Sequence, residues 1–231
     1  MRVAVIIPAL NEEESIGAVV REVLSTVEAR VFVVDNGSTD DTARVARLAG
    51  AEVVAEPRRG YGYACAAGVA AAGERFDVLV FMDGDGSDDA REMGLLLAPI
   101  ERGEADLVGG SRVLGPTHGR GVLPHQRLGN ALTVSLIALL YRKRLTDLPP
   151  FRAIRQPVLA SLGMREMTYG WPVEMTVKCI RRGYRIVEAP VSARPRSGGK
   201  SKVSGTVKGT VLAAYYLLGT TIKYALSETG R

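Results

Sequence analysis

Two cysteines in 231 residues are too few for a disulfide scaffold. Cys65 and Cys179 stand far apart, each among apolar neighbours, and read as reduced, buried thiols of a cytosolic protein. The two histidines, His118 and His125, have no cysteine near them at zinc-ligand spacing, which argues against a zinc site. Long apolar runs are missing as well. The opening MRVAVIIPAL is short and closes on a proline, as a first strand does and a signal peptide does not. The nearest approach to a membrane span is Val211 to Leu226, which Lys223 interrupts and which falls short of about 18 uncharged apolar residues.

Several motifs are incomplete in ways that matter. Gly60 and Gly62 lack the third glycine of a dinucleotide fingerprint. SGGKS resembles the tail of a phosphate loop, but Arg194 stands where its first glycine is required and the strand-to-helix context of such a loop is missing. A calcium loop starting at Asp83 would need Gly at position 88 and Glu at position 94, where the chain has Asp88 and Gly94.

What the chain has is a globular composition, 46% apolar and 24% charged, with length enough for one large α/β core. Its net charge of +5 hides a division. Residues 1–110 carry 10 Lys and Arg against 20 Asp and Glu, whereas residues 111–231 carry 20 against 5. A basic half of this kind suits phosphate groups or an anionic membrane surface. Nucleic acid is not among the partners expected.

Hydrophobic spacing predicts alternating strands and helices in the first half. Val3 to Ile7 is a near-continuous apolar run, as in a strand covered on both faces. Asn11 offers an N-cap with Glu14 as its capping-box partner, and Ile16, Val19, Val20, Val23, Leu24 and Val27 follow at helical spacing. Strands are expected at Val31 to Asp35, Glu52 to Ala55 and Asp77 to Met82. Helices are expected up to Ala49, where Gly50 ends one, and over Ala64 to Ala72. The second half reads as a helix around Asn130 to Tyr141, a broken segment at Pro149 and Pro150, a helix from Glu174 to Arg182, a strand from Tyr184 to Val191, and a last apolar helix. The alternation implies a doubly wound, parallel sheet, in which ligands bind beyond the carboxyl ends of the strands. Pro8 to Glu12, Asp35 to Asp40 and Asp83 to Ser87 converge there.

Asp83-Gly84-Asp85 at a strand end places two carboxylates one residue apart around a glycine. Such a pair can hold Mg²⁺ or Mn²⁺ against a diphosphate, because hard cations take oxygen ligands. The alternative is a surface turn whose aspartates cap the next helix. Asp35 and Asn36 can contact a nucleobase or ribose, or simply form the turn. The basic run Arg194, Arg196, Lys200 and Lys202 can close over anions or contact lipid headgroups. Glu174 can act as a general base or pair with an arginine, and Trp171 can stack on a sugar or pack in the core.

The segments IPALNEEESIG, VVDNGSTDDT, EPRRGYGYACAAG, FMDGDGSDD and GGSR occur in the order seen in glycosyltransferase family 2. The later TDLPPFRAI, WPVEM and RSGGKSKVSG resemble the dolichyl- and polyprenyl-phosphate sugar synthase branch. The resemblance covers nearly the whole chain. It implies a GT-A fold, Rossmann-like with flanking helices, and inverting transfer from a UDP- or GDP-sugar. It also implies that Pro8, Leu10, Glu12, Asp35, Asn36, Arg58, Asp83 and Gly84 bind the nucleotide-sugar, with Asp83, Asp85 and Ser87 at the metal. Arg112, Arg127, Arg196 and Lys202 match positions associated with the acceptor phosphate or donor diphosphate. Ser87 stands where many relatives carry Gln, and Pro149-Pro150 where relatives often show Cys-Gly.

The expected architecture is a catalytic domain over residues 1–202 and a helical extension over 203–231 that contacts a membrane surface or a second copy. The expected reaction moves a hexose to a polyprenyl phosphate at the cytoplasmic membrane face. Three other readings stand beside it: a soluble enzyme acting on a hydroxyl acceptor with Glu174 as base, a nucleotidyltransferase, and a non-catalytic nucleotide-sugar-binding protein.

Overall fold

The computed structural model describes residues 1–117, 122–198 and 207–226. Lys202, expected in the site, lies outside them, as do Lys200 and His118. Among the described residues, β1 (Val3–Ala9), β2 (Ala29–Asp35), β3 (Glu52–Ala55), β4 (Val78–Phe81), β5 (Leu107–Ser111), β6 (Arg152–Arg155) and β7 (Ile186–Pro190) form one sheet. Its order is β3-β2-β1-β4-β6-β5-β7. Neighbouring strands are parallel except at β6, which runs antiparallel to both β4 and β5.

The sheet is mostly parallel, as expected, and the cause of its one reversal is local. After β5 the chain leaves at the carboxyl edge and makes helix α5 (Pro124–Tyr141). It stays on that edge, because Ser111 Oγ and Thr146 Oγ1 are bonded at 2.6 Å and Asn130 accepts from the Leu148 amide at 3.0 Å. Having never crossed to the other end, it must re-enter the sheet there and run backwards. Arg152 accordingly pairs with Phe81, the last residue of β4.

The period-2 alternation of β1 divides the core into two layers. Val3, Val5, Ile7 and Ala9 pack with α1 (Ile16–Thr26) through Ile16, Val19, Val20 and Val23, and with α4 (Met93–Glu101) through Met93, Leu96, Leu97 and Ile100. Ala4 and Ile6 face the other layer, made by α3 (Tyr61–Ala72), α6 (Gln156–Leu162) and α7 (Trp171–Arg181). Each fully buried Val, Ile or Leu contributes roughly 1.5–3 kcal/mol, so the layers on both faces are what hold the strand ends in place. Gly68 of α3 lets that helix approach closely: a Cβ there would lie 2.5 Å from Ile6 Cγ2. Helix α2 (Thr42–Leu48) packs outside β2 and β3, and Gly50 follows it with φ +104°.

Asn11 does not cap α1. It adopts a left-handed φ of 52° and its Oδ1 accepts from the Thr39 amide at 2.8 Å. Asparagine tolerates that backbone conformation, and its amide is spent joining two loops at the carboxyl edge, so the helix begins later, after Ser15.

The last helix, α8 (Val207–Leu226), packs on α5 and α7 through Ile137, Val173, Val177 and Tyr224. Tyr141 Oη donates to the Thr221 carbonyl at 2.7 Å. No helix among the described residues is long and apolar enough to cross a membrane.

Candidate active site

Four loops meet where the strand order turns outward from β1, between β2 and β4. Ser15 Oγ donates to the Gly84 carbonyl at 2.8 Å, tying the loop after β1 to the loop after β4. The Glu12 amide donates to Thr42 Oγ1 at 2.8 Å, and the Asn36 amide to the Ala9 carbonyl at 2.9 Å. The crevice beyond the carboxyl ends therefore has rigid walls.

Asp83 and Asp85 are both half-buried in the loop after β4. Asp88, absent from the expected site, accepts from the Asp83 amide at 3.0 Å and sets the turn. Burial pushes the Asp83 carboxyl well above its ordinary range, helped by repulsion from Asp85 and Asp88 and opposed by Arg112 and Arg152. Burial likewise pushes Asp88 up to about 6; Asp85 adds to this, while the Asp83 amide, Arg112 and Arg152 pull the other way. Asp83 and Asp88 are thus crowded carboxyls whose repulsion a further positive charge would relieve. Asp85 Oδ1 accepts from the Ser87 amide at 2.9 Å. Ser87 thus belongs to the turn that aims Asp85.

The segment after β7 lies across this loop. The Arg194 amide donates to the Ser87 carbonyl at 3.0 Å, and the Ser197 amide to the Asp85 carbonyl at 2.9 Å. Gly86 makes this crossing possible: it has φ +77°, and an added Cβ would sit 2.1 Å from Ser197 Oγ. The two arginines of the segment then part. Arg196 Nη1 donates to Asp85 Oδ2 at 2.9 Å, its Nη2 binds Glu12, and its Nε donates to the Gly198 carbonyl at 2.7 Å. Arg194, read in the sequence as part of a run closing over anions, instead pairs with Glu22 at 3.1 Å and with Asp89. Those carboxylates hold it in the wall beside α1, so it anchors the segment.

Arg112 follows β5 and is gripped by Asp147 through Nε and Nη2, each at 2.8 Å. Glu188 of β7 holds the Thr146 and Asp147 amides at 2.9 and 3.0 Å, which fixes that grip. Burial opposes the Arg112 charge, but Asp147, and after it Asp88 and Asp83, outweigh burial and raise its pKa. Arg127 stands in the first turn of α5 and is exposed. Arg152, which sequence reasoning did not single out, is buried beside β4 with Nη2 unpartnered, and its charge acts on Asp83 and Asp88. A charged residue opening a short strand reads as loop in the sequence, so only the Phe81 pairing reveals it.

On the β2 side, Pro8 and Leu10 are half-buried at the end of β1. Asp35 closes an Asx-type turn, accepting from the Ser38 amide at 2.8 Å. The Asn36 amide group holds the loop after β3: it donates to the Glu56 and Arg58 carbonyls at 2.9 and 2.7 Å and accepts from the Gly60 amide at 2.9 Å. Arg58 forms a two-pronged pair with Glu56 at 2.9 and 2.7 Å and lies over the Tyr63 ring. That hydrogen bonding lowers the Glu56 carboxyl to about 2.

Glu174 is placed elsewhere. Its fully buried carboxylate receives the Arg165 and Glu166 amides, the Lys178 ammonium at 2.7 Å and the Tyr224 hydroxyl. A general base needs a lone pair directed at substrate, and these four donors already surround the carboxylate. Glu174 therefore fastens α7 to α8, and the reading that made it a base is corrected. Trp171 packs in the core, 3% exposed and 6.5 Å from the Phe81 ring, so it is not a sugar platform.

Residues 4–163 match the family described as glycosyl transferase family 2. The chain belongs to that family. An uncharacterised glycosyltransferase of Mycobacterium tuberculosis is 43% identical over 213 residues, covering 91% of this chain and 94% of the relative. The undecaprenyl-phosphate mannosyltransferase of Micrococcus luteus is 36% identical over 230 residues, covering 90% of each. These relatives place the chain on the polyprenyl-phosphate sugar synthase side of the family, and it is a glycosyltransferase. Among solved structures, glucosyl-3-phosphoglycerate synthase of M. tuberculosis, in complex with Mn²⁺, UDP and phosphoglyceric acid, superposes with a TM-score of 0.79 at 23% identity. The match covers 99% of this chain and 80% of that one, and it supports a GT-A-like sheet with flanking helices.

No three His, Cys, Asp or Glu side chains among the described residues form a ready metal cage. The chemistry of Asp83 and Asp85 still fits a divalent cation. Two crowded carboxylates beside Arg196 form a site that a diphosphate's oxygens would complete.

Proposed function

We propose that this glycosyltransferase moves a hexose from a UDP- or GDP-sugar to a polyprenyl phosphate, with inversion. The observation that carries the reading is the meeting of the Asp83–Asp85 loop with Arg112 and Arg196 at the carboxyl edge. Acidic residues of the first half and basic residues of the second face one another there, as a reaction between two anions requires. A divalent cation, Mg²⁺ or Mn²⁺, held by Asp83 and Asp85, would neutralise charge growing on the departing nucleoside diphosphate. In the transfer, a phosphate oxygen of the acceptor bonds to the anomeric carbon as the bond from that carbon to the diphosphate breaks. That oxygen is already anionic, so no general base is needed, in keeping with the removal of Glu174.

Pro8, Leu10, Asp35 and Asn36 form the nucleotide wall, with the Arg58–Glu56 pair at its rim. Arg112, Arg127 and Lys202 take the acceptor phosphate. Each charge-assisted hydrogen bond contributes about 1.5–3 kcal/mol. We place the catalytic domain over residues 1–202 and assign the membrane contact to the extension 203–231 together with α5. Leu128, Leu132 and Leu139 are exposed at helical spacing on α5, and Leu212, Tyr215, Ile222 and Leu226 on α8. Exposed Arg142 and Arg144 follow α5. Such faces suit adsorption to the cytoplasmic leaflet.

Incubating the enzyme with radiolabelled UDP- and GDP-hexoses and polyprenyl phosphate, with and without Mn²⁺, checks the reading. Label is expected in the organic phase with one donor and only with the cation. Absence of lipid-extractable label with every donor overturns it.

A further inference from the structure

We infer that Arg196 is an exchangeable counter-ion: it occupies Asp85 while no metal is bound, and a divalent cation displaces it toward the acceptor phosphate. This rests on the reading of Asp83 and Asp85 as the metal-binding pair.

The geometry is specific. Asp85 Oδ1 is taken by the Ser87 amide, and Oδ2 by Arg196 Nη1 at 2.9 Å. Oδ2, the oxygen of this carboxylate that receives no backbone donor, is thus the one the guanidinium covers. Mg²⁺ and Mn²⁺ sit about 2.0–2.2 Å from carboxylate oxygens, which would place two charges of the same sign within a few ångströms. Both cannot keep close contact with that oxygen. Glu12 gives the displaced side chain a second holder, since Arg196 Nη2 already binds it.

The backbone does not have to move with the side chain. Arg194 remains paired with Glu22 and Asp89, and the Arg194 and Ser197 amides remain on the Ser87 and Asp85 carbonyls. Displacement is thus confined to the guanidinium, which is 22% exposed and lies at the cleft. An acceptor phosphate would find Arg196 available only once metal is in place. That imposes an order of binding: metal with nucleotide first, acceptor second. It also spares the empty enzyme an uncompensated carboxylate cluster.

Two measurements without acceptor test this. Mn²⁺ affinity, read by electron paramagnetic resonance, is compared for wild type, Arg196→Gln and Arg194→Gln. Removing a competing cation in direct contact tightens Mn²⁺ binding, expected at about five- to tenfold for Arg196→Gln, while Arg194→Gln changes it by less than about twofold. In wild type, the Arg196 Nε–H resonance, assigned by its loss in Arg196→Gln, is followed during Mg²⁺ titration and shifts to a new position that saturates. Equal effects of the two substitutions, weaker binding in Arg196→Gln, or an unmoved Arg196 resonance at saturating Mg²⁺ overturns the exchange. If wild type binds no Mn²⁺ even with UDP and GDP supplied, the metal reading of Asp83 and Asp85 fails and the exchange falls with it. Should Arg196→Gln misfold, the loss of the same resonance in Arg196→Lys supplies the assignment, and its response to Mg²⁺ in wild type decides the matter.

Discussion

Four donors converge on Glu174, and that saturation gives the residue a testable signature. Burial opposes its ionisation, but hydrogen bonds from Lys178, Tyr224 and the Glu166 and Arg165 amides prevail, and its pKa lies below the ordinary 4.5. A carboxylate whose folded pKa is depressed stabilises the fold above its unfolded pKa and loses that contribution as pH falls through the folded value. Glu174→Gln leaves Lys178, only 14% exposed, with the Gly163 carbonyl but without its carboxylate, and turns an amide N–H₂ toward backbone donors. Urea unfolding at pH 7 is expected to show a loss of about 3 kcal/mol. The gap should close below pH 4.5, since the wild type loses its own advantage there. Turnover per folded molecule should stay within a few-fold of wild type. A fall of several orders of magnitude in a stable Glu174→Gln variant would restore the base reading. The contrast with Asp83 is physical: the Glu174 carboxylate is surrounded by donors, whereas Asp83 is crowded by Asp85 and Asp88.

Helices α5 and α8 are amphipathic in an unusual sense, each having one apolar side spent on the other and on α7, and a second apolar side turned outward. Ile137 and Tyr224 serve the first, Leu132, Leu139 and Ile222 the second. Replacing Leu132 and Leu139 with Glu should leave the fold intact, because neither is buried, and should lower binding to anionic phosphatidylglycerol vesicles at least about tenfold in a flotation assay. Unchanged flotation, with a dimer in wild type that the substitutions split, would give the surface to a second copy instead. The sequence foretold both helices, because their inner faces follow a 3.6-residue period. It also foretold β1, β2 and β4, whose residues are covered on two faces and read as apolar runs, and the short edge strand β3. It did not reveal β6, where Arg152 and Arg155 bracket two apolar residues, nor that this strand runs backwards. Pairing direction depends on which edge the chain re-enters from, and no local pattern encodes that. The DGD loop was legible because glycine between two aspartates at a strand end is a local pattern. Its bond to Arg196 spans 111 positions and the bond from Arg196 to Glu12 spans 184, so only the folded chain brings them together.

At the scale of the molecule, the division of charge becomes an arrangement in space. The acidic first half builds β1 to β4 and supplies Glu12, Asp83, Asp85 and Asp88; the basic second half returns over that edge with Arg112, Arg152 and Arg196. Donor and acceptor meet different parts of this field. The donor diphosphate would be held by a cation in close contact, inside a walled crevice where salt penetrates little. The acceptor phosphate would approach from the exposed side, drawn by residues such as Arg127 that salt screens. Screening lengths fall from about 14 Å near 0.05 M to about 4 Å near 0.5 M ionic strength. Over that range the KM for a short-chain isoprenyl phosphate, presented in neutral detergent to remove membrane adsorption, should rise severalfold. The KM for the sugar nucleotide at saturating Mn²⁺ should move by less than about twofold, and kcat should hold. Equal rises in both KM values would mean that the two anions share one solvated field. A fall in kcat alone would mean that salt acts on the closed site, and the spatial division of labour drawn from the charge pattern would be wrong.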